Sequence, residues 1–451
     1  MTTITGTLVD LLSDAQVFPW DTWITQAAPP NPAIAPAPMA QFATQSPPPA
    51  CVVCPETEAE LAAVMACAHQ NRWRVIPFGQ GTKLAWGGVG TAVDLMVSTA
   101  RLNHIVHHAV GDLTVTVEAG VKFTDLQAVL VKTHQFLALD PAYADQATLG
   151  GIVATADAGA WRQRYGGVRD MLIGLTLVRS DGQIAKAGGQ VVKNVAGYDL
   201  MKLMTGAYGT LGIVSQLTFR TYPLPEASQT VVMAGESGAI AATLAALKQS
   251  VLTPVAFDLL SPRMVENLGL QPQLGLALQF QGIPDGVAEQ VTRSRQFAQA
   301  LNCQDLVGAA DVYCWHTLGN QVCSPQASPN DLIVLKLGIL PSAAVTLLTE
   351  LELLLANIAW YGRIHVSSGV GRVAIACDQH NIESMREKLL KLRARCESER
   401  GFLTLLQAPQ SLKQTLDVWG YAGSALPLMK RIKAQFDPLA LLSPGRFVGD
   451  I

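Results

Sequence analysis

What this chain of 451 residues lacks narrows the field first. Charge is scarce: 15% of residues are Asp, Glu, Lys or Arg, and the net charge is −3. No basic excess is present to draw nucleic acid or an anionic membrane. No uninterrupted apolar run is long enough to span a bilayer. The best candidate, "VTLLTELELLLANIAWY" over 345–361, holds Glu350, Glu352 and Asn357 and reads as a helix leading into a strand. The opening "MTTITGTLVDLLSDAQ" has no basic region and carries Asp10 and Asp14, so it does not read as a secretory signal. The eight cysteines include one Cys-x-x-Cys, Cys51 and Cys54, but no second pair at zinc-site spacing and no cluster of four for an iron–sulfur centre. Positions three apart on a strand face opposite ways, so these two are expected to be small buried side chains. The expectation is a reduced, cytoplasmic chain with no metal site.

What is present is apolar bulk. Hydrophobic residues make up 49%, with a mean hydropathy of +0.26. That implies a large buried fraction or a subunit interface. The length suits two to four domains.

Residues 1–46 read as a short amphipathic helix followed by a Pro- and Ala-rich connector. From Cys51 the texture is α/β. "CVVC" and "RVIPF" are strands flanking a helix over 56–71, whose first turn is acidic. Further strands fall at 92–98, 104–110 and 113–120, and a helix at 122–134. Residues 135–159 read as a strand, a long loop and a Gly-rich segment. Residues 171–188 read as a hairpin turning at Asp181-Gly182. A short helix over 198–206 and a long strand over 211–225 close this part. Segment 229–300 then reads strand, helix, strand, strand, helix, and 331–407 repeats the order with one added strand. Two such halves make one antiparallel sheet with helices on one face. The boundaries are 47–225 for the first domain, 226–410 for the second, and 411–451 for a tail that returns to the first.

Three Gly-rich segments lie in the first domain: "PFGQGTK" (77–83), "DPAYADQATLGGIVATADAG" (140–159) and "GAYGTLGIV" (206–214). The first is no P-loop, because Thr82 and Lys83 stand in the wrong order, and Ala85-Trp86 breaks Rossmann spacing. Glycines let backbone N–H groups approach a pyrophosphate. Thr82, Thr148 and Thr155 can add hydroxyl donors and Lys83 a charge. Each segment alone also fits an ordinary tight turn.

The ordered series resembles the vanillyl-alcohol-oxidase/PCMH-type FAD-binding family. The series runs "VIPFGQGT", "TLGGIVATADAG", "YGGVRDMLIGLTLV", "VVKNVAGYDLMKLMTGAYGTLGIV" and "FDPLALLSPGRF". It is most similar to the FAD-binding E subunit of glycolate oxidase, across most of the chain. The resemblance implies an α+β fold: a two-part FAD-binding domain plus an antiparallel-sheet cap with helices on one face. It implies FAD held by Pro77, Gly79, Gln80, Gly81, Thr82 and Lys83 in one loop, and by Thr148, Gly150, Gly151, Ala154, Thr155 and Gly159 in a second. Pro141 and the stretch from Tyr165 to Asp170 match positions near the flavin, and Ile213 and Val214 match the strand at the adenine side. Asn194, Tyr198 and Asp199 belong to a segment that is either functional or a structural buckle. No His stands in the first loop, which implies non-covalent binding.

Family members that oxidise 2-hydroxy acids carry two cap histidines in an H-x-G-D-G-x-x-H-like stretch. Here "RIHVSSGVGRVAI" (363–375) places His365 near the first, with Arg372 and Val373 where a second would stand. His365, Arg446 and Lys202 are the candidate substrate contacts; a lone strand histidine is also an ordinary structural residue. The Gly-x-Gly-x-x-Ala at Gly369–Ala374 precedes a strand and reads as a hairpin turn. His107 and His108 are adjacent on a strand and cannot jointly chelate.

The function implied is an FAD subunit of a glycolate oxidase or dehydrogenase. Its partners would be a second flavoprotein subunit and an iron–sulfur subunit, and any membrane contact would be made through them. Two alternatives stand: a non-catalytic assembly or electron-transfer subunit, and a stand-alone D-lactate dehydrogenase-like enzyme.

Overall fold

The computed structural model describes residues 3–25, 42, 47–190, 197–323, 331–378, 381–421 and 423–451. The chain divides into two compact units. Unit 1 comprises Met1–Asp157, Gly167–Pro223 and Tyr421–Ile451, and unit 2 comprises Ala158–Gly166 and Leu224–Gly420. The segment around Trp161 thus leaves the first unit for the second, an excursion that no local pattern announces.

Unit 1 opens with β1 (Val17–Pro19), β2 (Cys51–Val53), β3 (Val75–Phe78) and β4 (Leu95–Ser98), in the order β1-β2-β4-β3. Strands β2 and β3 run parallel to β4. Every residue of β2 and β4 is buried, as a sheet covered on both faces requires. The helix Glu58–Asn71 crosses between β2 and β3. A Thr57–Glu60 capping box starts it, and Leu61, Val64, Met65 and Ala68 form its buried stripe. Cys51 joins the apolar cluster that contains this stripe, and Cys54 joins a separate one with Trp20, Phe42 and Ile76. The two thiols therefore face opposite ways.

The chain continues through β5 (Ile105–Ala109), β6 (Thr114–Glu118), β7 (Gln135–Phe136), β8 (Leu172–Val178), β9 (Ile184–Gly188), β10 (Ile213–Arg220) and β11 (Tyr222–Pro223). Five of these form an antiparallel sheet, β5-β6-β10-β8-β9, and β7 pairs with β11. Strands β8 and β9 make the hairpin, with Gly182 at φ 83 in its turn. Residues 441–443 lie along the edge of β3: Val75 N donates to Leu441 O at 2.7 Å, and Ser443 N to Val75 O at 2.8 Å. The tail therefore protects an edge strand of the first sheet.

Unit 2 holds β12 (Ala227–Gly235), β13 (Ala256–Leu260), β14 (Leu274–Gly282), β15 (Asn302–Val307), β16 (Leu332–Gly338), β17 (Trp360–His365), β18 (Val370–Ala376) and β19 (Phe402–Gln407). They form one antiparallel sheet in the order β15-β12-β14-β13-β17-β18-β16-β19. Alternation along the strands gives one apolar face, with Val231, Phe257, Leu278, Leu335 and Ile375. Helices Ser237–Gln249, Pro284–Gln296, Ala344–Leu354 and Ile382–Ser398 bury apolar stripes in the same core. The other face carries Thr230, Asp258, Gln279, Arg363 and His365, all buried.

Strand β15 and the helix Ala309–Gln321 were not expected, and the helix departs from the one-face pattern. Asp311, 1% exposed, anchors it to the polar face by accepting from Ser228 Oγ (2.6 Å), Gln279 Nε2 (3.1 Å) and Thr230 Oγ1. A buried carboxylate is tolerable only with such saturation.

Candidate functional site

The first loop leaves the C-terminal end of β3. Thr99 N donates to Phe78 O at 2.8 Å, and Ser98 Oγ donates to Gly79 O at 3.2 Å, so β4 fixes where the loop begins. Gly81 sits at φ 80, a left-handed conformation costly for any residue with a Cβ. Leu84 N then closes a turn on Gly81 O at 3.0 Å.

The second loop is not a loop throughout. Residues Leu149–Thr155 form a helix, with Thr148 as its N-cap accepting from Gly151 N at 3.3 Å. Gly150 and Gly151 obscure this in the sequence, because glycine weakens helix propensity by ~1 kcal/mol relative to Ala. Gly150 packs on Ala119, and any Cβ there would stand 2.8 Å from the Ala119 Cβ.

The two loops touch. A Cβ on Gly79 would overlap the Thr148 hydroxyl, so only glycine allows this approach. Between them opens a cleft of about 830 Å³, counting the solvent in its mouth. Pro77, Gly79, Gln80, Gly81, Thr82 and Lys83 line one side. Thr148, Gly150, Gly151, Ala154 and Thr155 line the other, and Ile213 and Val214 the third, beside Met204, Tyr208 and Gly209. Three of the expected cofactor residues lie elsewhere. Pro141 is buried beside Ala142, whose backbone N donates to Asp157 Oδ2 at 2.9 Å. Gly159 and Tyr165 belong to unit 2, where Tyr165 Oη donates to Gln281 Oε1 at 3.2 Å.

Lys83 corrects the sequence reading of its charge. Its ammonium lies 3.3 Å from Asp157 Oδ2 and donates to Ala142 O at 3.1 Å, among the rings of Trp86 and Tyr143. The side chains are 5% and 0% exposed. Lys83 is thus held as half of a buried ion pair that ties the first loop to the end of the second. Asp157 was missed because 74 residues separate it from its partner and no periodicity marks it.

Arg446 also borders the cleft. Its Nη1 donates to Gly88 O at 3.0 Å and Nη2 to Trp86 O at 2.9 Å. Burial pulls its pKa down to about 10, with only Tyr208 opposing. Lys202 is elsewhere, in an exposed ion pair with Asp199 at 2.5 Å. Tyr198 is 92% exposed, and Asn194 lies outside the described residues.

His365 sits on the polar face of unit 2. Its Nδ1 is 2.5 Å from Asp258 Oδ1, and Arg363 Nε donates to Asp258 Oδ2 at 2.8 Å. Burial pushes the Asp258 carboxyl up, but Arg363 and then His365 outweigh it and hold the group at about 2. The register sets Arg372 across from Arg363 on one side and Lys336 on the other. Gly369, at φ 66, makes the β17–β18 turn. His108 Nε2 is 3.2 Å from Gln135 Oε1, and His104 is paired with Glu118.

The cleft fits a flavin nucleotide on two observations. Gln80 is 4% exposed, and its Oε1 is buried with no hydrogen-bond partner among the described residues, as an acceptor awaiting a ligand donor would be. The Gly79–Thr148 contact leaves bare backbone lining the floor.

Comparison with known proteins agrees. Residues 49–188 match the family model described as FAD binding domain. The chain is 26% identical to glycolate oxidase subunit GlcD of Bacillus subtilis (strain 168), over 88% of each chain. It is 29% identical to a probable mitochondrial D-lactate dehydrogenase of Danio rerio, over 88% of this chain and 84% of that one. Glycolate oxidase subunit GlcE of Escherichia coli (strain K12) matches at 38% over 28% of this chain and 36% of that one. The crystal structure of p-cresol methylhydroxylase with substrate bound shares the fold, with a TM-score of 0.72 at 14% identity over 97% of this chain and 95% of that one. Residues 49–188 are an FAD-binding domain, and the chain has a VAO/PCMH-type fold.

Proposed function

We propose that the chain is the FAD-bearing subunit of a glycolate oxidase or dehydrogenase complex and oxidises a 2-hydroxy acid to the 2-oxo acid. One observation carries this reading. The likeness to glycolate oxidase subunit GlcD and to a D-lactate dehydrogenase runs through 88% of the chain, hence through both units and not the FAD domain alone. Glycolate and D-lactate are both 2-hydroxy acids. The added likeness to GlcE supports companion subunits, a second flavoprotein and an iron–sulfur protein.

Bound FAD supplies the hydride acceptor. The chain's share is to hold and orient it. Gly79, Gly81, Gly150 and Gly151 expose backbone to the cofactor, and Gln80 offers its side-chain carbonyl. Thr82, Thr148 and Thr155 offer hydroxyls, and Ile213 and Val214 present a strand edge. The reading takes binding to be non-covalent, and no His or Cys is among the described residues lining the cleft. The reading places the chain in the cytoplasm, with any membrane contact made through partners; no helix among the described residues is long and apolar enough to cross a membrane.

A second reading, a non-catalytic subunit, is favoured by His365, whose Nδ1 is engaged by Asp258, and by Arg372 at the second histidine position. The third is a stand-alone D-lactate dehydrogenase-like enzyme. Anaerobic titration of the purified chain separates them. Bleaching of the flavin by glycolate supports the first. Bleaching only after partner subunits are added supports the second, and bleaching by D-lactate alone the third. A chain that no 2-hydroxy acid reduces, with or without partners, sinks the oxidoreductase reading.

A further inference from the structure

We infer that Arg446 is the cationic counterpart of the cofactor diphosphate in the unit 1 cleft, an inference that rests on the FAD reading above. Two cations border this cleft: Lys83, which the sequence offered to the pyrophosphate, and Arg446, which it offered only as a substrate contact. The structure separates their roles.

Lys83 is compensated within the protein. Its carboxylate partner, Asp157, is buried and 3.3 Å away, so the pair adds little net charge to the cleft. Arg446 is different. It is 4% exposed and borders the same cleft. Its two described hydrogen bonds go to neutral carbonyls, Gly88 O and Trp86 O. The Phe42 ring, 5.9 Å from its guanidinium carbon, offers a π face and no formal charge. Among the described residues no carboxylate forms an ion pair with it.

A guanidinium stays ionised in proteins, so it cannot escape desolvation by losing its proton. A buried charge left without a counter-ion is strongly unfavourable, and the lowered pKa of about 10 reflects that burial. The fold nevertheless fixes this charge firmly. Ser443 N bonds Val75 O, Gly88 N bonds Arg446 O at 3.1 Å, and Thr91 N bonds Pro444 O at 3.1 Å. A fixed, uncompensated cation beside a ligand cleft implies an anionic ligand. The diphosphate is the part of FAD that carries fixed negative charge, and guanidinium groups suit phosphate oxygens. The tail thus braces the first loop and brings a charge to the cofactor.

The test compares flavins that differ in charge. Full-length wild type, Arg446→Lys and Arg446→Met are stripped of flavin, and binding of FAD and of riboflavin, which has no phosphate, is measured by fluorescence quenching. The inference expects Arg446→Met to weaken FAD at least about tenfold while riboflavin changes less than about twofold; tenfold corresponds to about 1.4 kcal/mol. Arg446→Lys, which keeps the charge, should hold FAD within about threefold of wild type. Equal weakening of both flavins by Arg446→Met would mean a purely structural brace and overturn the inference, as would unchanged FAD binding. If Arg446→Met does not fold, Arg446→Lys decides: retention of FAD preference over riboflavin supports the inference, and its loss overturns it. Wild type that binds no FAD would instead overturn the flavin reading, and this inference with it.

Discussion

The ammonium of Lys83 and the carboxylate of Asp157 meet at 3.3 Å inside unit 1, one from the first loop and one from just beyond the helix Leu149–Thr155. The pair also holds Ala142, through its carbonyl and its N–H. Removing one member of a buried pair leaves an uncompensated charge, at a cost of about 3–5 kcal/mol. Asp157→Asn should lower the urea midpoint accordingly and accelerate flavin loss. Lys83→Met with Asp157→Leu should recover most of the stability, because apolar replacement avoids burying a lone ion. A double variant as unstable as Asp157→Asn alone would contradict this account of the pair.

Asp258 predicts an acid limb for unit 2. Its carboxyl stands at about 2 in the folded chain against an ordinary 3.8. The folded state therefore binds the proton less readily than the unfolded chain. The stabilisation is present above about pH 4 and is lost as pH falls from there through 2, amounting to roughly 2 kcal/mol at ~1.4 kcal/mol per pKa unit. Urea unfolding between neutral pH and about pH 2.5 should show this loss in wild type. Asp258→Asn should be weaker at neutral pH, because Arg363 then lies buried without its carboxylate, and should show a flatter acid limb. Parallel acid limbs in the two proteins would count against it.

The Cys-x-x-Cys is expected to be chemically inert. Burial pushes the Cys51 thiol up to about 11 and the Cys54 thiol up to about 12. Thiolate is the reactive form, so iodoacetamide at neutral pH should leave both unmodified in the native protein and label exposed Cys303 first. Peptide mapping by mass spectrometry reads this directly. Rapid native labelling of Cys51 or Cys54 would refute their burial.

Much of the fold was legible because it rests on local alternation and turn chemistry. Strand β14, Leu274–Gly282, is the third strand of the order read over 229–300, and the Asp181-Gly182 turn appears with Gly182 at positive φ. Helix Ala309–Gln321 was not legible. Its anchor is a single buried Asp311, whose partners Ser228, Thr230 and Gln279 lie on distant strands. Helix Leu149–Thr155 was hidden by its two glycines, which the contact with Ala119 favours over helix propensity. At the site, the Gly-rich segments and their threonines stood out in the sequence, and they do line one cleft. The fates of Lys83 and Arg446 were not, because which cation is neutralised depends on whether a carboxylate from elsewhere in the chain reaches it.

The cleft between Gly79 and Thr148 is the proposed seat of FAD. The most direct measurement is the flavin absorbance of the purified full-length chain beside that of Gly79→Val, with far-UV circular dichroism to confirm that both are folded. A Cβ at Gly79 meets the Thr148 side chain, so the variant cannot keep the two loops at their present separation. Wild type should be yellow and release FAD into the supernatant on denaturation, and the variant should be folded and colourless. A colourless wild type, or a variant that retains as much FAD as wild type, would contradict this placement of FAD.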